Sequence, residues 1–151
     1  MDLAALMNET PLAKLLGIEL SVAEDGHAEG RLTYSEDVLS NPHGEVIHGG
    51  VTYALADTVG GAAVMSRAGA VSPTVDMRID YLAPATTDLT CEADVVRYGG
   101  HLAMVRADVY DADGTHVATA HGAYKTGGQG DETPWGTRDE DGASNGDGGG
   151  Q

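Results

Sequence analysis

Residues 49–67, GGVTYALADTVGGAAVMSR, read as one long helix, and the rest of the fold is organised around it. Val51, Leu55, Val59, Ala62 and Met65 recur near helical spacing and define an apolar face. The stretch is rich in small residues and contains a Gly60-Gly61 pair. Each glycine costs a helix interior roughly 1 kcal/mol relative to alanine. The expected compensation is close packing of the helix against a sheet.

On the N-terminal side, Ile18 to Ala23 and Ala28 to Tyr34 read as two strands joined by a turn at Glu24-Asp25-Gly26. Short helices are expected before them at 2–7 and 11–16, the second with Thr10 as N-cap. Residues 35–48, SEDVLSNPHGEVIH, form a loop with turn chemistry at Asn41-Pro42 and Gly44. Beyond the helix the apolar period changes to that of strands. Val71 to Leu82, Leu89 to Tyr98, His101 to Tyr110 and His116 to Thr126 are the candidates. Pro84, Gly99-Gly100 and Asp113-Gly114 separate them, the last a strong hairpin signal. In the third strand Val75, Met77, Ile79 and Tyr81 alternate with Asp76, Arg78 and Asp80, so the first four are expected on one face. Two strands, one helix and four antiparallel strands make an α+β architecture.

A chain of 151 residues suits one domain, assigned to residues 1–126. Composition breaks after Thr126. Of the last 25 residues nine are glycine and six are acidic, and Trp135 is the one large apolar side chain. Residues 127–151 are therefore expected to be a disordered acidic tail, with too little apolar surface to offset its ordering entropy.

The chain carries 24 Asp and Glu against 8 Lys and Arg, a formal net charge of −16. Such a surface argues against nucleic acid and anionic membranes as partners, since both require a basic footprint. It is the composition expected of a protein adapted to a high-salt cytosol, where salt screens self-repulsion. No basic, apolar leader opens the chain, and no run approaches the ~20 apolar residues that span a bilayer. One cysteine, Cys91, excludes an intrachain disulfide and fits a reducing cytoplasm. Six histidines lack the Cys pairs or His-x-x-x-His spacing of a metal centre, so no metal is expected.

The chemistry concentrates in NPHGEVIHGGVTYALAD, Asn41 to Asp57. His48-Gly49-Gly50 lies where loop becomes helix. Amides at a helix start are unpaired and the dipole there is positive. Glycine lets a ligand oxygen approach them, which suits a polarised carbonyl. Asp57 follows on an apolar, small-residue helix, where a carboxylate is either structurally paired or kept for acid–base chemistry.

This stretch resembles the hotdog-fold thioesterases of the phenylacetate-pathway (PaaI-like) type. The shared pattern is Asn41, Gly44, His48-Gly49-Gly50 and Leu55-Ala56-Asp57. It continues through Thr74-Val75-Asp76-Met77, Tyr81-Leu82-Ala83-Pro84-Ala85, Val95-Val96-Arg97-Tyr98-Gly99 and Ala118-Thr119-Ala120. The resemblance implies a hotdog fold, an antiparallel sheet wrapped around the central helix, and acyl-CoA thioester hydrolysis without metal or cofactor, coenzyme A being part of the substrate. By it, Asp57 is the general base or, less often, the nucleophile. Gly49 donates its N–H to the thioester oxygen, Asn41 positions that carbonyl, His48 braces the loop or lies near the sulfur, and Thr74 helps hold the water. Gly50, Arg97, Gly99 and His101 fall in the substrate and coenzyme A region. It also implies a homodimer with shared active sites, assembled further into a homotetramer. The chain departs from the pattern in placing three residues, Glu45, Val46 and Ile47, between Gly44 and His48. It also has Leu82-Ala83-Pro84 where an arginine is usual, and Gly100-His101 where a second basic residue is usual. An acyl-CoA-binding protein without catalysis is the alternative. Enoyl-CoA hydration is disfavoured, because Ala62 stands where that chemistry needs histidine.

Overall fold

The computed structural model describes residues 2–127. Apart from Gly127, the expected tail lies outside the described residues. Two short helices, α1 (Leu3–Asn8) and α2 (Pro11–Leu16), lead into the hairpin β1 (Ile18–Glu24) and β2 (His27–Leu32). A loop containing a single 3-10 turn at Glu36–Val38 then enters α3 (Gly49–Ala68). Strands β3 (Thr74–Tyr81), β4 (Leu89–Tyr98), β5 (Leu102–Asp111) and β6 (His116–Lys125) follow. All six strands form one antiparallel sheet in the order β1-β2-β4-β5-β6-β3. The α+β outline read from the periods is the one that forms.

The sheet wraps α3, which touches every strand. Six successive helix residues, Val59 to Val64, are buried. A helix lying flat on a sheet would bury only one stripe, so this run records a sheet curled around more than one face. The small residues make that possible. At Gly30 on β2 a Cβ would come within 2.8 Å of Val59. Leu55, Val59 and Val64 pack with Leu32, Leu89, Val105 and Val109 from the sheet. Met65, expected on the same face, is only half-buried.

The two edge strands end differently. On β1, the Asn8 side chain accepts from Leu20 N–H at 2.7 Å and donates to Leu20 O at 3.0 Å, covering part of that edge as a strand would. On β3 only one side is paired, with β6, among the described residues.

Thr10 holds the N-cap position of α2 as expected, although its hydroxyl donates to Met7 O at 2.9 Å and makes no side-chain cap. One local expectation is corrected, because the regular alternation of β3 fails at its start. A bulge between Thr74 and Asp76 inserts Val75 as an extra residue and leaves it 58% exposed. Two residues then oppose one, and the phase of the strand changes across the bulge. Met77 and Ile79 stay on the helix side, packed against the core. Thr74, which strict alternation would aim with Asp76 and Arg78, instead turns towards α3.

Candidate functional site

Asp57 lies in the middle of α3, half-buried. Thr74, re-aimed by the bulge, donates its hydroxyl to Asp57 Oδ1 at 2.6 Å. The Tyr124 hydroxyl on β6 lies 3.1 Å from the same oxygen and 3.0 Å from the Asp57 main-chain carbonyl, and shares its one proton between the two. Asp57 Oδ2 accepts no hydrogen bond among the described residues. One oxygen of the carboxylate is thus anchored and the other is left to take a proton. Tyr124 is absent from the residues the sequence singled out. The Gly60-Gly61 pair is the signal that could have pointed to it, because both glycines lie against its ring.

At the head of the helix, His48 is the N-cap of α3. Its Nδ1 accepts from Gly50 N–H at 2.8 Å. Nδ1 must therefore be unprotonated, and the neutral ring carries its hydrogen on Nε2. The Gly50 amide is committed to this cap. The Gly49 N–H, at the first helical position, has no acceptor among the described residues. Tyr81 lies over this turn and donates its hydroxyl to Gly49 O at 2.6 Å. A Cβ on residue 49 would stand 3.1 Å from the Tyr81 ring, close enough that the ring would have to give by a few tenths of an ångström. A cavity of about 530 Å3 opens beside Gly49, lined by Val46, Ile47, Tyr81, Leu82 and Pro84.

Asn41 sits in the preceding loop. Its Oδ1 accepts from His43 N–H at 3.1 Å, and its carboxamide folds over Gly44. Arg97, Gly99 and His101 gather at the β4–β5 turn. There the Thr126 hydroxyl donates to Gly99 O at 2.7 Å and the Thr126 N–H donates to His101 O at 3.0 Å. A bulge at Val96 pairs Arg97 with Met104, whose neighbours Ala103 and Val105 are buried. Arg97 therefore projects from the outer face of the sheet, whereas Asp57 lies on the helix side. Tyr98 turns inward and stacks with Arg67 of α3, the guanidinium 4.5 Å from the ring centre. Thr74 pairs with Tyr124, Tyr124 with Ala103, and Ala103 with Tyr98, so the turn lies three strands, about 14 Å, from Thr74 at the same end of the sheet.

Apart from Asn41 in its loop and Arg97, Gly99 and His101 at the β4–β5 turn, the predicted residues thus fall into two groups. Asp57 and Thr74 meet at the start of β3, while His48, Gly49 and Gly50 meet beside Tyr81 at its end. Eight helical residues separate Gly49 from Asp57, a rise of about 12 Å. One chain does not bring the base and the free amide onto one carbonyl. No group of three or more His, Cys, Asp or Glu side chains able to hold a metal ion occurs among the described residues.

The model of the thioesterase superfamily matches residues 44–118. A Halobacterium salinarum protein, provisionally named an esterase, is 34% identical over 139 residues, covering 82% of this chain and 92% of the relative. The chain belongs to the thioesterase superfamily. The E. coli PaaI protein from the phenylacetic acid degradation operon is a structural neighbour of this thioesterase-superfamily chain, with a TM-score of 0.75 and 28% identity over 82% of this chain and 89% of its own. A Salmonella typhimurium protein named medium/long-chain acyl-CoA thioesterase YigI is 25% identical, covering 78% of this chain and 86% of the relative. The expected hotdog fold is the fold of this superfamily, and membership supports thioester hydrolysis as the general activity. The matched stretch contains His48, Gly49, Asp57 and Thr74 and stops before Tyr124.

Thr74→Ala removes one of the two donors to Asp57 Oδ1 and leaves the carboxylate in place. The expected result is a fall in kcat of about tenfold, the size of one hydrogen bond to a charged group, read by steady-state kinetics with little change in KM.

Proposed function

We propose that this thioesterase-superfamily chain hydrolyses acyl-CoA thioesters to the free acid and coenzyme A, with Asp57 as general base. The observation that carries the reading is the state of its carboxylate, with Oδ1 held by two hydroxyl donors and Oδ2 without a protein partner. A water bonded to Oδ2 attacks the thioester carbon as its proton passes to Asp57. Negative charge grows on the former carbonyl oxygen and is met by the Gly49 N–H at the positive end of α3. Collapse of the tetrahedral species breaks the C–S bond. The proton held by Asp57, or one from solvent, neutralises the departing thiolate. The His48 Nε2–H, fixed by the Nδ1 cap, is a further donor near that group. The reaction draws on no metal or cofactor.

The proposed site is shared between two subunits, and the argument is geometric. Thr74 and Tyr81 sit at opposite ends of β3, about 23 Å apart. Antiparallel pairing of the open β3 edge with its own copy sets the Thr74 end beside the partner subunit's Tyr81. That pairing places Asp57 opposite the partner subunit's Gly49, which one chain alone does not do. A two-fold assembly repeats the arrangement, giving two sites per dimer, and a pair of dimers is the expected tetramer.

The test is a panel of acyl-CoA esters of rising chain length, assayed by thiol release at low and high salt. Release with at least one ester supports the reading, and its absence across the panel at both salts overturns it. We place the working environment in a salt-rich cytosol. With −16 charges per chain, subunits repel at low ionic strength. The unfolding midpoint is therefore expected to rise with potassium chloride. A flat or falling midpoint up to molar salt would count against the high-salt setting. No helix among the described residues is long and apolar enough to cross a membrane.

A further inference from the structure

Asp57 can rotate about its side-chain bonds, so a single hydrogen bond leaves the carboxylate free to swing. Thr74 alone would act as such a hinge. Tyr124 supplies a second donor from a different strand, and the chain devotes three glycines to bringing it there. A Cβ on Gly60 would stand 2.6 Å from the Tyr124 hydroxyl, and one on Gly61 3.4 Å from the ring. On β6 itself, a Cβ on Gly122 would stand 2.9 Å from the other ring edge. The ring is 1% exposed. Two glycines in a helix interior are unfavourable for the helix, and here they form the cradle in which the phenol lies.

We propose that Tyr124, held between Gly60, Gly61 and Gly122, is a positioning residue that locks Asp57 Oδ1 and thereby presents Oδ2 to the attacking water. The inference rests on Asp57 being the base of the proposed reaction. Burial, reinforced by the neighbouring Asp57 carboxylate, pushes the Tyr124 phenol far above its ordinary range. It therefore stays protonated and remains a donor at every working pH. Besides Asp57, the titratable groups acting on the Tyr124 phenol are Tyr53 on α3 and the buried Cys91 on β4, and neither is a cation. Tyr124 thus acts on the orientation of the carboxylate.

The experiment is Tyr124→Phe in the full-length chain, which keeps the ring in its cradle and deletes only the hydroxyl. The expected kcat falls about tenfold while KM stays within about twofold. A role confined to packing would leave kcat where it was, because the phenylalanine ring still fills the cradle. Gly60→Ala tests the cradle through space, since its methyl displaces the hydroxyl. It should reproduce the loss alone and add little in the Tyr124→Phe background, a non-additivity expected of groups in contact. An unchanged kcat in folded, assembled Tyr124→Phe protein overturns the proposal. Asp57→Asn separates this failure from failure of the underlying reading. If that variant is inactive while Tyr124→Phe is unchanged, only the role of Tyr124 falls. If Asp57→Asn is itself active, the base assignment falls and the positioning role with it.

Discussion

Asp57→Asn is expected to leave the fold, the assembly and acyl-CoA binding in place while lowering kcat by at least about 10²-fold, the general-base contribution. The substitution is nearly isosteric. The side-chain oxygen of asparagine accepts from Thr74 and Tyr124 as Oδ1 does now. What changes is the other position, where an amide nitrogen that cannot take a proton replaces Oδ2. Attack by water then proceeds without a base. Steady-state kinetics on an accepted ester, with binding measured separately, reads the effect as a fall in kcat at constant affinity. Near-wild-type turnover in a folded and assembled variant would falsify the assignment.

Gly49→Pro and Asp57→Asn should each be inactive alone and should restore activity when their subunits are mixed. Proline deletes the one N–H proposed to meet the oxyanion. It suits the first helical position, where its fixed φ is compatible and the amide has no intrahelical partner, and its Cβ requires only a small shift of the Tyr81 ring 3.1 Å away. His48, with ψ of 133°, already has the extended backbone that proline requires of the preceding residue. The expected loss for Gly49→Pro alone is about 10²–10³-fold in kcat. In a mixed dimer, one site receives both lesions and the other receives the intact Asp57 and the intact Gly49. Random exchange of equal amounts therefore recovers about a quarter of wild-type activity, because half the dimers are mixed and each has one whole site. If base and amide came from the same chain, every site in the mixture would carry a lesion. Mixing that yields confirmed heterodimers and no activity would rule out the shared site.

How much of this was legible in advance follows from the range over which each feature is encoded. The helix at 49–68, the strands after it and the turn at Gly99-Gly100 can be read within a few residues. Their signals are side-chain period and backbone preference. The helix-start chemistry of His48-Gly49-Gly50 is equally local, and the structure places His48 at the N-cap. Asp57 was legible as a carboxylate out of place on an apolar helix. Thr10 was legible as the N-cap of α2, but the partner of its hydroxyl was not, because whether a hydroxyl donates or accepts depends on the carbonyl that α1 happens to leave within reach. Alternation in β3 was misread at Val75, since a bulge is a property of the pairing between two strands and not of either strand alone.

The sequence by itself determined the element order, the α+β class, the stretch from Asn41 to Asp57 in which the chemistry concentrates, and the superfamily resemblance. Each of these is written in neighbouring residues or in a short motif. Only the tertiary structure decided that Thr74 turns towards Asp57 instead of away from it, and that Tyr124, 67 residues further along the chain, completes the clamp on that carboxylate. Only the tertiary structure, too, set Gly49 and Asp57 at opposite ends of β3, beside an edge left open for a second strand. The physical reason is the same in each case. A side chain's direction in a sheet depends on register, and register is settled by which strands pair and by how closely the helix packs onto them.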